Sequence, residues 1–304
     1  MLKYIFKRLL NAVLVVFVVT SIVFFATKAM PSGLTNPKFS PQVRAQIEEA
    51  YGLKAPLFVQ YANFIKSMAV LDFKTSINIQ KHRKVSEIIA LKLPISAALG
   101  FAASVFGIIV GAFLGIFAAI KRGKIIDQAL TILAVLGVSV PSIVVGILLQ
   151  YVFAVKLSIV PVSFKYSFAS SILPVFALSF WPIAVIARYM RNELLEILNS
   201  EYIFLAKAKG ASFKDIVIKH ALPNALVPVI TVCAPLIVGV MIGSLIIEHI
   251  FGIAGFGDLL VRAVMMSDYP VILACVFVLS VLFTLTYLII DLLYGIIDPR
   301  IRIE

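Results

Sequence analysis

Residues that could carry acid–base or metal chemistry are few in this chain and lie far apart. The three histidines, His82, His220 and His249, show no metal-ligand spacing. The glycine cluster at 252–257 is only a weak nucleotide-loop pattern, because no strand precedes it and no helix of a βαβ unit follows it. No Gly-Lys-Ser/Thr sequence occurs, so the chain cannot hold phosphates as a P-loop ATPase does. Any energy source must therefore lie in a partner.

The composition is that of a membrane protein. Of the 304 residues, 62% are apolar and 14% are charged, whereas about a quarter of the residues in soluble domains are charged. A membrane-crossing helix needs about 20 apolar residues, and several uncharged segments meet that length. They are Leu9–Ala26, Pro94–Ile120, Gln128–Val155, Tyr166–Ala187, Leu222–Ile247 and Pro270–Ile290. The sequence therefore predicts an all-α polytopic membrane protein with six transmembrane helices.

The centres of these spans lack ionisable side chains. An intramembrane enzyme or an ion-driven transporter generally needs such groups at depth, where each costs about 2.5–3.5 kcal/mol. Here Lys28, Arg188, Glu248 and Asp291 lie only at or near span ends. We therefore expect no proton relay in this chain, and no catalytic, metal-binding or cofactor-binding residues.

The distribution of lysine and arginine predicts the orientation. With both termini inside, fourteen of these residues flank the spans on the cytoplasmic side and three lie in short external loops. The loop 31–93 is left out of this count, because loops of that size cross a membrane largely regardless of charge. The net charge of +12 is thus distributed along membrane flanks and does not form the single basic face that would indicate nucleic-acid binding.

The first span and the loop after it make the amino-terminal part of the chain distinctive. Basic residues precede the span as in a signal peptide, but its length and the lack of a small-x-small site predict an uncleaved anchor. In the loop, Ser40-Pro41 predicts a helix start and Gly52 a helix stop. A second short helix from Pro56 would place Tyr61, Ile65 and Met68 on one side, and the loop would form a small external cap.

The second span carries Gly107, Gly111 and Gly115 at four-residue spacing. Such small residues let another helix backbone approach closely. The partner helix could belong to the same bundle or to a second membrane subunit, and the spacing does not distinguish the two.

A polar segment from Arg188 to Pro223 separates two apolar spans. Apolar residues from Leu194 to Ala208 recur at helical spacing, and Gly210 predicts the end of that helix. Ser212 can cap a second helix, after which Leu222-Pro223 would turn the chain back. The segment could lie on lipid headgroups, but its acidic residues weaken that interpretation. A compact cytoplasmic surface for another protein fits better.

Several motifs together make this chain similar to one protein family. Lys207-Ala208-Lys209-Gly210, followed by His-Ala-Leu-Pro-Asn-Ala-Leu at 220–226, resembles the cytoplasmic loop of ABC importer permeases of the dipeptide, oligopeptide and nickel group. Similar motifs extend over nearly the whole chain. They are Lys7-Arg8-Leu9-Leu10, Tyr51-Gly52-Leu53 with Pro56 and Gln60-Tyr61, Lys121-Arg122-Gly123, Asp268-Tyr269-Pro270, Asp291-Leu292-Leu293-Tyr294 and Asp298-Pro299-Arg300-Ile301-Arg302. The carboxyl-terminal motifs resemble most the subunit with the long first external loop.

The resemblance implies an ABC importer type I-like transmembrane domain in the bacterial plasma (inner) membrane, surrounded by lipid. The implied partners are a second homologous permease subunit, two cytoplasmic ABC ATPase subunits that bind ATP-Mg, and an external solute-binding protein. The implied ATPase-coupling residues are Glu201, Ala206, Lys207, Ala208, Lys209, Gly210, Ala211, Leu222 and Pro223. The expected domains are 1–30 with the first span, the external cap 31–93, the core 94–293 with coupling loop 188–223, and the cytoplasmic tail 294–304.

The chain also departs from the family pattern. Only Ala206 represents the Glu-Ala-Ala of the general permease loop, and the external motifs near Pro31 and Asp72 differ. The expected cargo is a dipeptide or oligopeptide, with nickel or another small solute as the alternative. A self-contained channel or facilitator is the alternative from a different class. A membrane-embedded hydrolase is disfavoured, because the polar constellation that catalysis needs is missing.

Overall fold

The computed structural model describes residues 2–29, 40–42, 48–49, 52, 54–165, 167–242 and 245–297. The carboxyl-terminal motif at 298–302 and most of the predicted helix after Ser40 lie outside the described residues. The described part is helical apart from connecting segments and an isolated antiparallel bridge between Thr75 and Lys84. Its α-helices are α1 (Leu2–Ala29), α2 (Leu57–Ala69), α3 (Val85–Ile120), α4 (Ile125–Ser139), α5 (Ser142–Leu149), α6 (Phe168–Leu198), α7 (Glu201–Ala208), α8 (Phe213–Asp215), α9 (Leu222–Ile242), α10 (Leu245–Phe251), α11 (Phe256–Met265) and α12 (Tyr269–Ile297). Two π-helical segments, Gln150–Lys156 and Ile216–Ala221, follow α5 and α8.

Within the described residues, five continuous helices are long and apolar enough to cross a membrane. They are Ile5–Ala29, Val85–Ile120, Phe168–Leu198, Phe213–Met241 and Tyr269–Ile290. A bent pair, Ile125–Ser139 with Ser142–Lys156, brings the number to six when it is counted as one span. The predicted all-α polytopic fold is therefore confirmed.

The third predicted span, Gln128–Val155, is not one straight helix. The chain bends by 105° between Ser139 and Ser142. Pro141 lacks the N–H that would continue the helical ladder, and it disfavours helical torsions at the residue before it. Val140 accordingly adopts an extended conformation, with φ −84° and ψ 122°. The apolar run satisfies the length test for a span but contains a helix break.

The chain divides into two compact units, residues 1–96 with 254–304 and residues 97–253. In the first unit, α1 packs along α12, and α11 packs against α12. Its core includes Phe24, Phe64, Phe256 and the free thiol Cys275. In this unit the described part of the first long loop contributes to the same core as the spans.

The predicted second helix of that loop is confirmed as α2, which begins after Pro56. Phe64 and Met68 are buried, and the Phe64 ring stacks on the ring of Phe24 with centroids 5.0 Å apart. The Tyr61 hydroxyl lies 2.6 Å from the Ser21 hydroxyl oxygen. The helical spacing seen in the sequence therefore does mark the side of α2 that contacts α1.

In the second unit, α6 is the helix against which several others pack, including α4, α5 and α9. The three glycines of the second span contact it. A Cβ added at Gly107 would lie 2.5 Å from the Pro182 Cβ, and one at Gly111 would lie 2.7 Å from the Ile183 carbonyl oxygen. The glycine repeat is thus used for packing within this chain.

A methyl group at Gly111 is expected to destabilise the second unit. The added Cβ would approach the α6 backbone more closely than real contacts allow, and overpacking of this kind costs about 1–3 kcal/mol. Gly239→Ala is the matched control, because the same methyl group at that helix position meets nothing within 4 Å. Thermal unfolding in detergent should give a lower Tm for Gly111→Ala and an unchanged or higher Tm for Gly239→Ala. Equal Tm values for the two variants would contradict this packing.

Candidate coupling site

The polar segment forms a separate short helix instead of the long helix predicted from Leu194. Leu194 belongs to the last turns of α6, which ends at Leu198. Asn199 caps that end, and Ser200 is extended with φ −76° and ψ 156° before α7 begins. Asn and Ser compete for backbone hydrogen bonds and so favour helix ends. The polar pair at 199–200 indicates this helix end, although the apolar spacing on both sides of it predicted one continuous helix.

Helix α7 is anchored through one residue. Ile203 is fully buried, and α7 packs against the π segment that holds the buried residues Ile216 and Val217. The apolar residues that recur in the sequence, Tyr202 and Leu205, are instead exposed. The sequence pattern therefore identified the outward face of α7.

That outward face is apolar and open. The Phe204 side chain is 74% exposed and that of Leu205 is 55% exposed. Together with Glu201, Ala208 and the preceding polar pair they line a shallow groove of about 570 Å³. Large exposed apolar side chains that share a groove are typical of a protein interface. The arrangement suits contact with another protein better than chemistry on a small molecule.

The turn after α7 fixes the backbone at the carboxyl-terminal end of this helix. The Gly210 N–H donates to the Lys207 carbonyl at 3.0 Å, and the Ala211 N–H donates to the Ala206 carbonyl at 3.1 Å. These two bonds form a Schellman motif, whose C′ residue adopts a left-handed conformation. Gly210 does so with φ +83°. A side chain here would strain the backbone, although a Cβ would meet nothing within 4 Å.

The next helix begins as the sequence predicts. The Ser212 hydroxyl accepts a hydrogen bond from the Asp215 N–H at 3.1 Å, which caps α8. Asp215 in turn pairs with Lys219 at 2.6 Å, one helical turn later. The bend at Gly210 is therefore followed directly by a capped helix.

Leu222-Pro223 does not turn the chain back, contrary to the prediction. The helix runs without interruption from Phe213 to Met241. The widened π turn at Ile216–Ala221 comes just before Pro223, where an α-helical turn would bring the proline ring against a carbonyl. The neighbouring His220 carbonyl accepts a hydrogen bond from the Asn224 side-chain amide at 2.7 Å. The turn in this segment lies earlier, at Gly210.

The structure brings together seven of the nine residues that the sequence singled out. They are Glu201, Ala206, Lys207, Ala208, Lys209, Gly210 and Ala211, all on α7 or its carboxyl-terminal turn. Ala206 and Ala211 are half-buried and the other five are exposed. Leu222 and Pro223 lie on the first turn of α9 instead.

Sequence reasoning missed an ion pair at the base of this site. Asp127, on the first turn of α4, is 4% exposed and accepts from the Arg191 guanidinium through two bonds of 2.6 and 2.9 Å. It also accepts from the Gly123 N–H at 3.0 Å. The sequence offers one indication of this pair, a single acidic residue between the basic residues at 121–124 and an apolar span. The pair joins the 121–124 connection to the part of α6 that leads into α7.

Breaking this pair is expected to destabilise the second unit. Removing one partner of a buried pair costs about 3–5 kcal/mol, and the partial exposure of Arg191, 25%, favours the lower end of that range. Asp127→Ala should therefore lower the Tm of the detergent-solubilised protein clearly. Asp72→Ala removes the carboxylate of an exposed pair with Lys74 and should change the Tm little. A Tm for Asp127→Ala within error of that control would contradict a stabilising role for the Asp127–Arg191 ion pair.

Comparison with known proteins identifies the family. Residues 111–303 match the family model described as binding-protein-dependent transport system inner membrane component, and residues 1–100 match the amino-terminal model of the same systems. The chain is 40% identical to a dipeptide transport system permease protein of Lactococcus lactis over 100% of both chains. It is 38% identical to an oligopeptide transport system permease protein of Haemophilus influenzae, over 99% of this chain and 100% of the other.

The solved structures add agreement in fold. A chain of the MetNI methionine ABC transporter, in an inward-facing conformation, superposes with a TM-score of 0.56 and 21% identity, covering 70% of this chain and 97% of that one. The likeness supports an ABC importer type of transmembrane domain. The family and the fold agree with an inner-membrane, multi-pass subunit that works in an assembly with ATPase and permease partners and is itself not an enzyme. The chain belongs to the family of binding-protein-dependent transport system inner membrane components, the permease subunits of ABC importers.

Proposed function

We propose that this permease forms half of a peptide-translocation pore in the bacterial plasma membrane. Its partners would be a second homologous permease, two cytoplasmic ATPase subunits and an external solute-binding protein. Relatives that match over the whole chain are named as dipeptide and oligopeptide permeases, and this supports peptides as cargo. ATP-Mg would bind only to the ATPase subunits.

The observation that carries the coupling role is the outward face of α7. Phe204 and Leu205 are exposed on a helix whose opposite residue, Ile203, is fully buried. An ATPase that receives Phe204 and Leu205 could move α7 as a rigid element, because Ile203 and the Gly210 turn hold its backbone. Changing a 1:99 population of conformations to 99:1 takes about 5.5 kcal/mol of differential binding. ATP and the loaded binding protein together would supply that free energy.

The fourth-span helix α6 would carry this motion into the membrane. It is continuous from Phe168 to Leu198, and Met190 and Leu194 are fully buried near its end. The ion pair of Arg191 with Asp127 holds the neighbouring connection to the same helix. A displacement of α7 therefore acts on a packed helix end and not on a free loop.

Substitutions in the coupling turn should abolish uptake without removing the subunit from the membrane. Gly210→Glu forces a side chain into a left-handed position, and Ala208→Trp enlarges an exposed residue of the groove. Peptide uptake by cells should fall to background for both variants, and the ATPase subunits should no longer copurify. Gly252→Glu is the matched control, since Gly252 also has positive φ, +65°, with open space around its Cβ, but lies outside the 188–223 segment. Normal uptake by the Gly210 and Ala208 variants would refute the coupling role.

We propose that both termini and α7 are cytoplasmic. The excess of basic residues on that side supports this orientation. In a variant with both cysteines replaced by alanine, Lys209→Cys should react with a membrane-impermeant maleimide only after the cells are opened. Lys81→Cys, in the long first loop, should react in intact cells. The reverse pattern would overturn the proposed orientation.

A further inference from the structure

Backbone hydrogen bonds close a compact loop between α2 and α3. The Val85 N–H donates to the Lys74 carbonyl at 3.0 Å, and the Ser76 N–H donates to the Arg83 carbonyl at 2.9 Å. The His82 N–H closes the loop by donating to the Ser76 carbonyl at 3.1 Å. His82 itself adopts a left-handed conformation, with φ +64°. The strained residue sits inside a closed hydrogen-bond frame.

Asp268 fastens this loop to the segment before α12. Its carboxylate is fully buried, and it accepts hydrogen bonds from the Ser76 hydroxyl at 2.6 Å and from the backbone N–H groups of Ile77, Asn78 and Ile79 at 3.2, 2.8 and 2.9 Å. The Asn78 side chain also donates to the Met266 carbonyl at 2.9 Å. Four donors on one buried carboxylate make a strong, charge-assisted anchor.

The fastened loop displays a run of basic side chains. Lys81, His82, Arg83 and Lys84, here named the basic loop, are all exposed. Residues 72–87 contain four lysine and arginine side chains but only two carboxylates. Asp72 pairs with Lys74, and Glu87 lies 3.6 Å from Arg83. No carboxylate among the described residues pairs with Lys81 or Lys84.

Exposed apolar side chains lie beside the basic loop. Val70 is 67% exposed and Leu71 is 62% exposed. They line a groove of about 470 Å³ together with Lys84 and neighbouring residues. An apolar patch with a charged rim is the usual composition of a protein interface.

The first turns of α3 separate the basic loop from the apolar run of the second span. The apolar run of the second span begins at Pro94, and α3 extends back from there to Val85. Nine helical residues measure about 14 Å at 1.5 Å each. The headgroup layer is about 5–8 Å thick on each side, and charges in 0.15 M salt are screened beyond about 8 Å. Measured along α3, this separation exceeds the thickness of the headgroup layer, which favours contact of the basic loop with a protein over contact with the membrane surface.

We propose that the basic loop, with Val70 and Leu71 beside it, is a docking surface for an acidic patch on the external solute-binding protein. This proposal rests on the proposed function and orientation, because both place residues 31–93 outside the cell. A surface that must be recognised repeatedly benefits from a fixed backbone, since little conformational entropy is then lost on binding. The buried Asp268 anchor provides that fixed backbone.

Charge reversal tests the docking surface directly. The complete transporter is reconstituted in nanodiscs with the solute-binding protein that stimulates its ATP hydrolysis, and binding of that protein is measured by surface plasmon resonance. The triple variant Lys81→Glu, Arg83→Glu, Lys84→Glu should weaken binding by about tenfold or more and should remove most of its salt dependence. Lys66→Glu, an exposed position on α2, is the control and should bind as the wild type does.

The outcomes separate this proposal from the proposed function. Wild-type affinity in the triple variant, with transport intact in the wild type, would overturn the docking surface alone. If no solute-binding protein stimulates the wild-type complex, the proposed function fails and this inference fails with it. Weaker binding that appears equally in Lys66→Glu would indicate a diffuse charge effect and would also overturn the proposal.

Asp268→Asn tests whether the anchor holds the surface. The variant keeps the size of the side chain but removes its charge, so amides 77–79 should exchange hydrogen faster and trypsin should cleave more readily after Lys81, Arg83 and Lys84. Binding of the solute-binding protein should weaken while the Lys81, Arg83 and Lys84 side chains are all retained. Asp258→Asn, at another buried acid of the same unit, is the control. Unchanged exchange at 77–79 in Asp268→Asn would contradict the anchoring role.

Discussion

The close approach of glycines to helix α6 is the constraint on which the second unit depends. Gly107, Gly111 and Gly115 face successive turns of α6, and a Cβ at Gly137 of α4 would lie 2.5 Å from the Ala184 Cβ. Lipid gives helices no hydrophobic drive to associate, so such contacts rely on close van der Waals packing. Because α6 is packed in this way and continues to Leu198, it can act as a rigid connection to the candidate coupling site.

The bilayer also explains how the polar residues of the spans are arranged. Hydrocarbon offers no hydrogen-bond partner, so each hydroxyl must find one inside the protein. The Thr20, Ser104 and Ser179 hydroxyls donate to the carbonyls of Val16, Gly100 and Phe176 at 2.6, 2.7 and 2.8 Å. These side chains are occupied by their own helices. Two buried carboxylates that bind other segments of the chain, Asp127 and Asp268, lie just outside the long apolar runs.

The sequence predicted features that depend on local patterns. Apolar length identified the spans, helical spacing identified α2, and Gly210 with Ser212 marked the turn between α7 and α8. Competition between local signals explains the errors. Pro141 breaks the third span, whereas Pro223 leaves its helix intact because a π turn precedes it. A proline is therefore an ambiguous signal without the turn that precedes it.

Contacts between distant residues could not be predicted from one sequence. Asp268 and Ser76 are separated by 192 positions, and Asp127 and Arg191 by 64. No periodicity relates such residues, and an acid at the edge of a span has many possible roles. In the sequence, Asp268 stands out only as part of a family motif, Asp268-Tyr269-Pro270. The structure gives it a physical role as an acceptor for backbone amides.

Helix α7 with its carboxyl-terminal turn and the basic loop share one principle of construction, although they belong to different units. In each, backbone hydrogen bonds fix a short segment that contains residues with positive φ, Gly210 in one case and Lys74 and His82 in the other. In each, exposed side chains lie next to the fixed turn, Lys209 in one case and Lys81 and Arg83 in the other. A subunit that does no chemistry must act through surfaces, and a surface can transmit force or recognise a partner only if its backbone does not yield. The functional positions of such a protein are therefore best sought where several backbone hydrogen bonds fix a segment that has exposed side chains. They are less to be expected where polar groups converge in a cavity.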